Sequence, residues 1–217
     1  ADPLGYSIDW GDGSAVQSLS AAELAALGGT VSHVFADDAD GPANATARTV
    51  TVTASDGDGG TGSATHTVTV NNVAPTAPVS GAASVAEGAV FALSVGAIVD
   101  PGADTRSGYS IDWGDGNVSS FTPAEWLAAA GSFTHVFADG AASPTVTVRA
   151  TDEDGSFVLG THTVAVTNVA PTVVLGGGAS SDEGAGYSLS IAGSDPAGVA
   201  DPLGYSIDWG DGSAVQS

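Results

Sequence analysis

The sequence predicts an all-β chain of tandem β-sandwich domains, with a short helical insert in the repeating unit. Three observations lead there. Tyr-Ser-Ile-Asp-Trp-Gly-Asp-Gly occurs at Tyr6–Gly13, Tyr109–Gly116 and Tyr205–Gly212, at spacings of 103 and 96 residues. The chain is therefore an array of units of about 100 residues, which is the size of a small domain. Val, Thr, Ala and 31 glycines dominate the composition while only 6% of residues are aromatic, which favours short strands joined by turns. Within the one full repeat, strand patterns recur every 10–15 residues or so with turn signals between them, as in a sandwich.

The elements of that repeat follow in order. Val79–Val85 reads as a first strand. Ala86-Glu87-Gly88 is a turn, and Val90–Val95 is a second strand. Asp100–Ser107 is a loop rich in Asp and Gly. Tyr109–Trp113 alternates apolar with polar residues and is a third, half-buried strand, closed by the Gly-Asp-Gly turn. Phe133–Phe137 is a fourth strand. Thr145–Ala150 and His162–Thr167 form a final hairpin around Thr151-Asp-Glu-Asp-Gly155.

The insert before the fourth strand is the helical piece, about two turns long. Thr122-x-x-Glu125 and, in the preceding unit, Ser20-x-x-Glu23 are capping boxes. Pro123 occupies the first helical position, where its missing N–H is not needed. Phe121 with Trp126, and Leu19 with Leu24, suit a hydrophobic staple across the cap. Gly28 or Gly29, and Gly131, provide the stop.

Asn72-Val-Ala-Pro-Thr76 and Asn168-Val-Ala-Pro-Thr172 each follow the last strand of a unit and read as short, proline-stiffened linkers. Residues 1–18 recur letter for letter at 200–217. That identity is expected of a window onto a longer, nearly perfect array. The expected domains are 1–75, 76–172 and 173–217, of which only 76–172 is a complete unit.

The charge is one-sided. Twenty-five acids face three arginines (Arg48, Arg106, Arg149) and no lysine, a net charge of −22. Such a surface repels nucleic-acid phosphates and anionic membranes. Clustered carboxylates repel one another by about 4 kcal/mol per pair at 4 Å and an effective dielectric of 20, so they attract a cation. The absence of cysteine excludes disulfides and thiol chemistry, and the absence of lysine excludes Lys–Asn isopeptide cross-links. No apolar run of about 18 residues is present, so no membrane insertion is expected.

Ile-Asp-Trp-Gly-Asp-Gly, then His135-Val-Phe-Ala-Asp139, then Val146-Thr-Val-Arg-Ala-Thr-Asp-Glu-Asp-Gly155, then Asn-Val-Ala-Pro-Thr together resemble PKD-type (polycystic kidney disease) immunoglobulin-like repeats of large bacterial surface and secreted proteins. The resemblance spans nearly the whole chain. It implies tandem immunoglobulin-like sandwiches, an extracellular or cell-surface setting, and a spacer, adhesive or accessory role without catalysis. The helical insert departs from the shortest members. By that topology residues 1–75 lack the first strands of their unit, and 173–195 supply equivalent strands for the next. Head-to-tail association of copies, one chain's C-terminal strands completing another's N-terminal half, is therefore expected.

The same topology brings the loop after the second strand and the final hairpin turn to one end, beside the incoming linker. Asp100 and Asp104 are then expected near Asp152 and Asp154, and Asp195 and Asp201 form the matching set with Asp56 and Asp58 of the adjoining copy. Carboxylates with backbone oxygens suit Ca2+, which takes six to eight oxygen ligands. The alternative is Asp-Gly turn chemistry alone, since neither an EF-hand nor a nonapeptide calcium pattern is present. Asp112 and Asp115, with Glu87 and Asp139 nearby, form a second acidic group at the opposite end, where a hairpin turn is the competing account.

Trp10, Trp113 and Trp209 are expected in the sandwich core. Trp126 is a staple residue or, in the sharper reading, an exposed ring for a polysaccharide or protein ligand of an accessory module. His33 and His135, like His66 and His162, occupy repeated framework positions, too few for a closed zinc site. Asn44-Ala-Thr46 and Asn117-Val-Ser119 match the glycosylation pattern.

Overall fold

A computed structural model describes residues 4–38 and 45–217. Asn44 and most of the longer turn read at Asp38–Ala47 lie outside the described residues. The backbone groups into two compact units. One is Ala1–Thr76 with Ile98–Gly108 and Ala150–Val158; the other is Ala77–Ala97 with Tyr109–Arg149 and Leu159–Ser217.

The first stretch contains β1 (Gly5–Asp9), β2 (Gln17–Ser20), helix α1 (Ala21–Ala26), β3 (Ala45–Ser55) and β4 (Thr61–Asn71). They form an antiparallel sheet in the order β2-β1-β3-β4. The repeated motif lies on β1, where Tyr6 faces Leu19 of β2 and Ile8 faces Val52 of β3.

The complete repeat adds β5 (Val79–Gly81), β6 (Ser84–Ala86), β7 (Val90–Val95), β8 (Gly108–Asp112), β9 (Val118–Phe121), helix α2 (Pro123–Ala129), β10 (Ser132–Val136), β11 (Thr145–Thr151), β12 (Ser156–Thr163) and β13 (Ala165–Thr167). One sheet runs β12-β11-β8-β9, the same order as β4-β3-β1-β2, and a second runs β10-β7-β5. Between them lies an alternating core. Phe91, Leu93 and Val95 of β7, and Val146, Val148 and Ala150 of β11, are buried at every second position. Phe91 meets Phe137 at 5.7 Å and His162 at 6.0 Å between ring centroids. Each fully buried large aliphatic or aromatic side chain stabilises by roughly 1.5–3 kcal/mol. The chain is thus mainly β with a sandwich-like arrangement of antiparallel sheets.

Three local differences from the sequence reading have physical causes. The expected strand Val79–Val85 divides in two. β5 pairs with β7, whereas β6 runs parallel to β13. The break falls after Gly81, where a Cβ would come 2.6 Å from the Phe91 ring. The final strand starts at Ser156 rather than His162, and is interrupted at Val164, a buried residue that donates to Pro144 O. β9, too polar at Val118–Phe121 to show alternation, is held by pairing Tyr109 with Phe121. Both helices have complete capping boxes, Glu23 on Ser20 and Glu125 on Thr122.

At the C-terminal end β14 (Thr172–Gly177) and β15 (Leu189–Ser194) pair with Leu175 opposite Ile191. This is the β5–β7 register, Val79 opposite Val95, repeated 96 residues on. No described strand pairs with the other edge of β15. The tryptophans report the consequence. Trp113 is 1% exposed, Trp10 is half-buried and Trp209 is 40% exposed. The core expectation therefore holds for the copy whose two sheets are both present, and not for Trp209.

Candidate cation site

Three segments of one compact unit meet around a set of carboxylates: residues 36–38, the loop Asp100–Ser107, and the turn Asp152–Gly155. Backbone bonds join them. Ala103 N donates to Ala36 O at 2.9 Å, and Ser107 N to Thr151 O at 2.7 Å. Thr105 N donates to both oxygens of Glu153, at 2.8 and 3.0 Å. Gly102 is glycine for a local reason, since a Cβ there would come 2.6 Å from Asp104 Oδ2.

Asp152 Oδ1 accepts from Asp154 N and Gly155 N, which shapes the turn. Asp100 Oδ2 accepts from Arg106 Nη2 at 2.9 Å. The remaining oxygens are different in kind. Asp37 Oδ1, Asp38 Oδ2, Asp100 Oδ1, Asp104 Oδ2, Asp152 Oδ2 and both oxygens of Asp154 are buried without a hydrogen-bond partner among the described residues. Asp38, Asp152 and Asp154 are only 3%, 7% and 5% exposed. A buried polar atom left unpaired costs about 1–3 kcal/mol, and a charged one more. Apart from the proton that Asp104 and Asp100 can share, hydrogen bonding among the described residues leaves these oxygens unpaired.

The acids crowd each other. Oxygens of Asp37, Asp104 and Glu153 lie within 4.8 Å of one another, as do those of Asp38, Asp104 and Asp154. Burial first, then the charges of Asp100, Asp37 and Asp152, push the Asp104 carboxyl up to about 7. Burial and the neighbouring charges of Asp38 and Asp152 raise Asp154 as well. Two arginines adjoin the set, Arg106 on Asp100 and Arg48, whose Nη2 donates to Asp38 O at 2.6 Å. A cavity of ≈ 90 Å³ opens beside Asp37, Asp38, Asn72 and Asp104. An all-oxygen donor set of this kind matches the preference of a hard divalent cation such as Ca2+.

The structure thus gathers Asp100, Asp104, Asp152 and Asp154 in one place. It adds Asp37, Asp38 and Glu153, which the sequence reading left out. The position of Asp37 matches that of Asp139 after His33-Val-Phe and His135-Val-Phe, and that was the available signal.

Asp195 and Asp201 lie instead with Glu87, in the other unit, with oxygens again within 4.8 Å. Burial, then Asp195, Asp139 and Glu87, raise the Asp201 carboxyl. Asp56 Oδ1 accepts from Asp58 N and Gly60 N in an exposed turn of the first unit. Glu87 is 2% exposed, and both of its oxygens are used: Oε2 by Gly140 N at 2.6 Å and Oε1 by Val169 N at 2.7 Å.

Glu87 and Asp139 therefore sit by Asp201; Asp139 also lines a cavity together with Asp115, while the Asp112 and Asp115 carboxylates are engaged in local turn bonding. Asp112 Oδ1 accepts from Gly114 N and Asp115 Oδ1 from Asn117 N, in a turn whose Gly114 has φ +79°. Asp115 Oδ2 holds His135 Nε2 at 2.7 Å, and the His135 ring stacks on Trp113 at 4.6 Å. Asp12, His33 and Trp10 repeat this trio. Burial would raise Asp115, but the bonds from His135 and Asn117 outweigh it and hold the carboxyl low. Trp126 stacks on Tyr109 at 4.4 Å and packs on Phe133 at 4.6 Å.

No protein-family profile matches the chain, and neither does any curated protein sequence. Among the described residues, no helix is long and apolar enough to cross a membrane.

Proposed function

We propose that the chain is a non-catalytic structural repeat of an extracellular or cell-surface protein, a spacer or adhesive stalk stiffened by Ca2+. The buried carboxylate oxygens without partners around Asp104 carry the reading. Asp37, Asp38, Asp100, Asp104, Asp152 and Asp154 are the proposed ligands. Bound Ca2+ supplies the positive charge that the acids otherwise lack. It ties residues before the Asn72–Thr76 linker to loops that follow it, which opposes bending of the chain there. The resemblance to PKD-type repeats supports the setting. The packing of Trp126 on Tyr109 and Phe133 favours a structural ring over a sugar platform. Calcium titration by calorimetry, with small-angle scattering in calcium and in EDTA, tests the proposal. Binding with a longer, stiffer particle is expected. No binding and an unchanged profile would sink it.

A second element of the reading is self-association by strand pairing, favoured by the shared register of β14–β15 and β5–β7. In the complete sheet β10 lies on the far side of β7, with Phe133 opposite Leu93, Thr134 opposite Ala92 and His135 opposite Phe91. Shifted by the repeat, these pairs become Val31–Leu189, Ser32–Ser188 and His33–Tyr187. Residues 30–34 form no strand, and Val34 is 84% exposed. The occupant proposed for the β15 edge is this segment of a second copy. The chain has no cysteine, so oxidising a mixture of Ser32→Cys and Ser188→Cys chains is a clean assay. A cross-linked dimer is expected. Chains that stay uncross-linked and sediment as monomers at every concentration would overturn the pairing.

A further inference from the structure

We infer that the carboxylate cluster of the first unit is a two-cation site in which Asp104 is the shared ligand. The inference rests on the cation reading above and concerns its stoichiometry and the roles of single residues. Oxygens bound to one Ca2+ at roughly 2.3–2.6 Å lie within about 5 Å of one another. The cluster contains two such sets: Asp37, Asp104 and Glu153 in one, where Glu153 also accepts from Thr105 N through both oxygens, and Asp38, Asp104 and Asp154 in the other. They share only Asp104. The first set is reached from Asp37 and the second from Asp38. Asp37 and Asp38 are thus consecutive residues that belong to different sets.

Donor count and charge agree. Seven oxygens are buried and unpartnered, and they come from Asp37, Asp38, Asp100, Asp104, Asp152 and Asp154. Two of them belong to Asp154, which is 5% exposed and accepts no hydrogen bond through either, so one residue offers a complete carboxylate to metal. With Glu153 the cluster holds seven carboxylates against the guanidinium groups of Arg106 and Arg48. One divalent cation would leave a formal excess of about three negative charges, and two would leave about one. In a site this buried the residual repulsion is costly. Gly102 removes the side chain that would close the space against Asp104 Oδ2, leaving that oxygen free for a ligand.

The test is calorimetric titration of the EDTA-stripped chain with Ca2+ alone, comparing wild type with Asp104→Asn, Asp37→Asn and Asp38→Asn. These changes keep side-chain shape while removing the charge. Circular dichroism in EDTA checks that each variant keeps the wild-type fold. Asp104→Asn is expected to lose two equivalents of Ca2+. Asp37→Asn and Asp38→Asn are each expected to lose one, and the double variant both. Counting the difference from wild type isolates this cluster from any binding at Glu87, Asp195 and Asp201. If Asp104→Asn loses one equivalent, and Asp37→Asn and Asp38→Asn lose that same one, the site holds a single cation; the two-cation inference falls and the calcium reading stands. If no variant loses an equivalent, both fall.

Discussion

The two acidic clusters are built from matching parts and differ in what their oxygens do. Asp37 in the first corresponds by repeat position to Asp139 in the second, and Asp100 (Asp-Pro) and Asp104 (Ala-Asp) match Asp195 and Asp201 by local motif. In the first, a Thr-Asp-Glu-Asp-Gly turn adds Asp152, Glu153 and Asp154, and buried oxygens are left over. In the second, the added acid is Glu87, and its carboxylate is consumed by the N–H groups of Gly140 and Val169. Proximity of acids is common to both. Only where burial exceeds the supply of hydrogen-bond donors does a cluster demand a cation.

The comparison is tested most severely at Glu87. Glu87→Ala strips two N–H groups of their acceptor, at about 1–3 kcal/mol each. Its melting temperature should fall by roughly 4–24 °C for a chain of this size, equally in calcium and in EDTA. A loss seen only in calcium would show that Glu87 serves a metal instead.

Asp154→Asn should behave in the opposite way. Saturating calcium at a hundredfold excess over Kd stabilises by about 2.7 kcal/mol, or roughly 5–10 °C in melting temperature. The variant should lose most of that increment, while its melting in EDTA stays level or rises as repulsion is relieved. Scanning calorimetry under both conditions decides. A calcium increment kept intact would erase the distinction between the clusters.

A smaller effect concerns pH. Burial, the charge of Asp100 and a hydrogen bond with it, and the charges of Asp37 and Asp152 raise the Asp104 carboxyl from an ordinary value near 4 up to about 7. The folded state then binds its proton more tightly than the unfolded chain. The resulting stability is fully present below the unfolded value and is lost as pH rises through about 7. In EDTA the melting temperature should therefore fall between about pH 4 and pH 7, against the usual trend for carboxylates. In calcium the slope should flatten or reverse, because protons compete with the metal. Parallel slopes in the two buffers would separate Asp104 from the cation.

Much of this was legible in the residues. Alternation located β7, β8, β10 and β11 within a residue or so, because each buries one face. The capping boxes located both helices. Linked loops were legible too, since Asp100, Asp104, Asp152 and Asp154 belong to turns at one end of the strands. What escaped depends on long-range geometry. The repeat position shared by Asp37 and Asp139 was a signal, but it does not say which loops Asp37 meets. Asp56 and Asp58 satisfy their own turn, and Glu87 is explained by backbone donors 53 and 82 residues away. The split of the first strand after Gly81 reflects pairing to two different strands, β7 and β13.

The three copies of the tryptophan have an optical consequence. Indole emission moves to shorter wavelength as water is excluded. Trp113, wholly buried against His135, is a blue emitter. Trp209, with 40% of its surface in water, is a red one. A molecule whose open half became covered would shift its spectrum without any label, so fluorescence colour counts the closed sandwiches in solution.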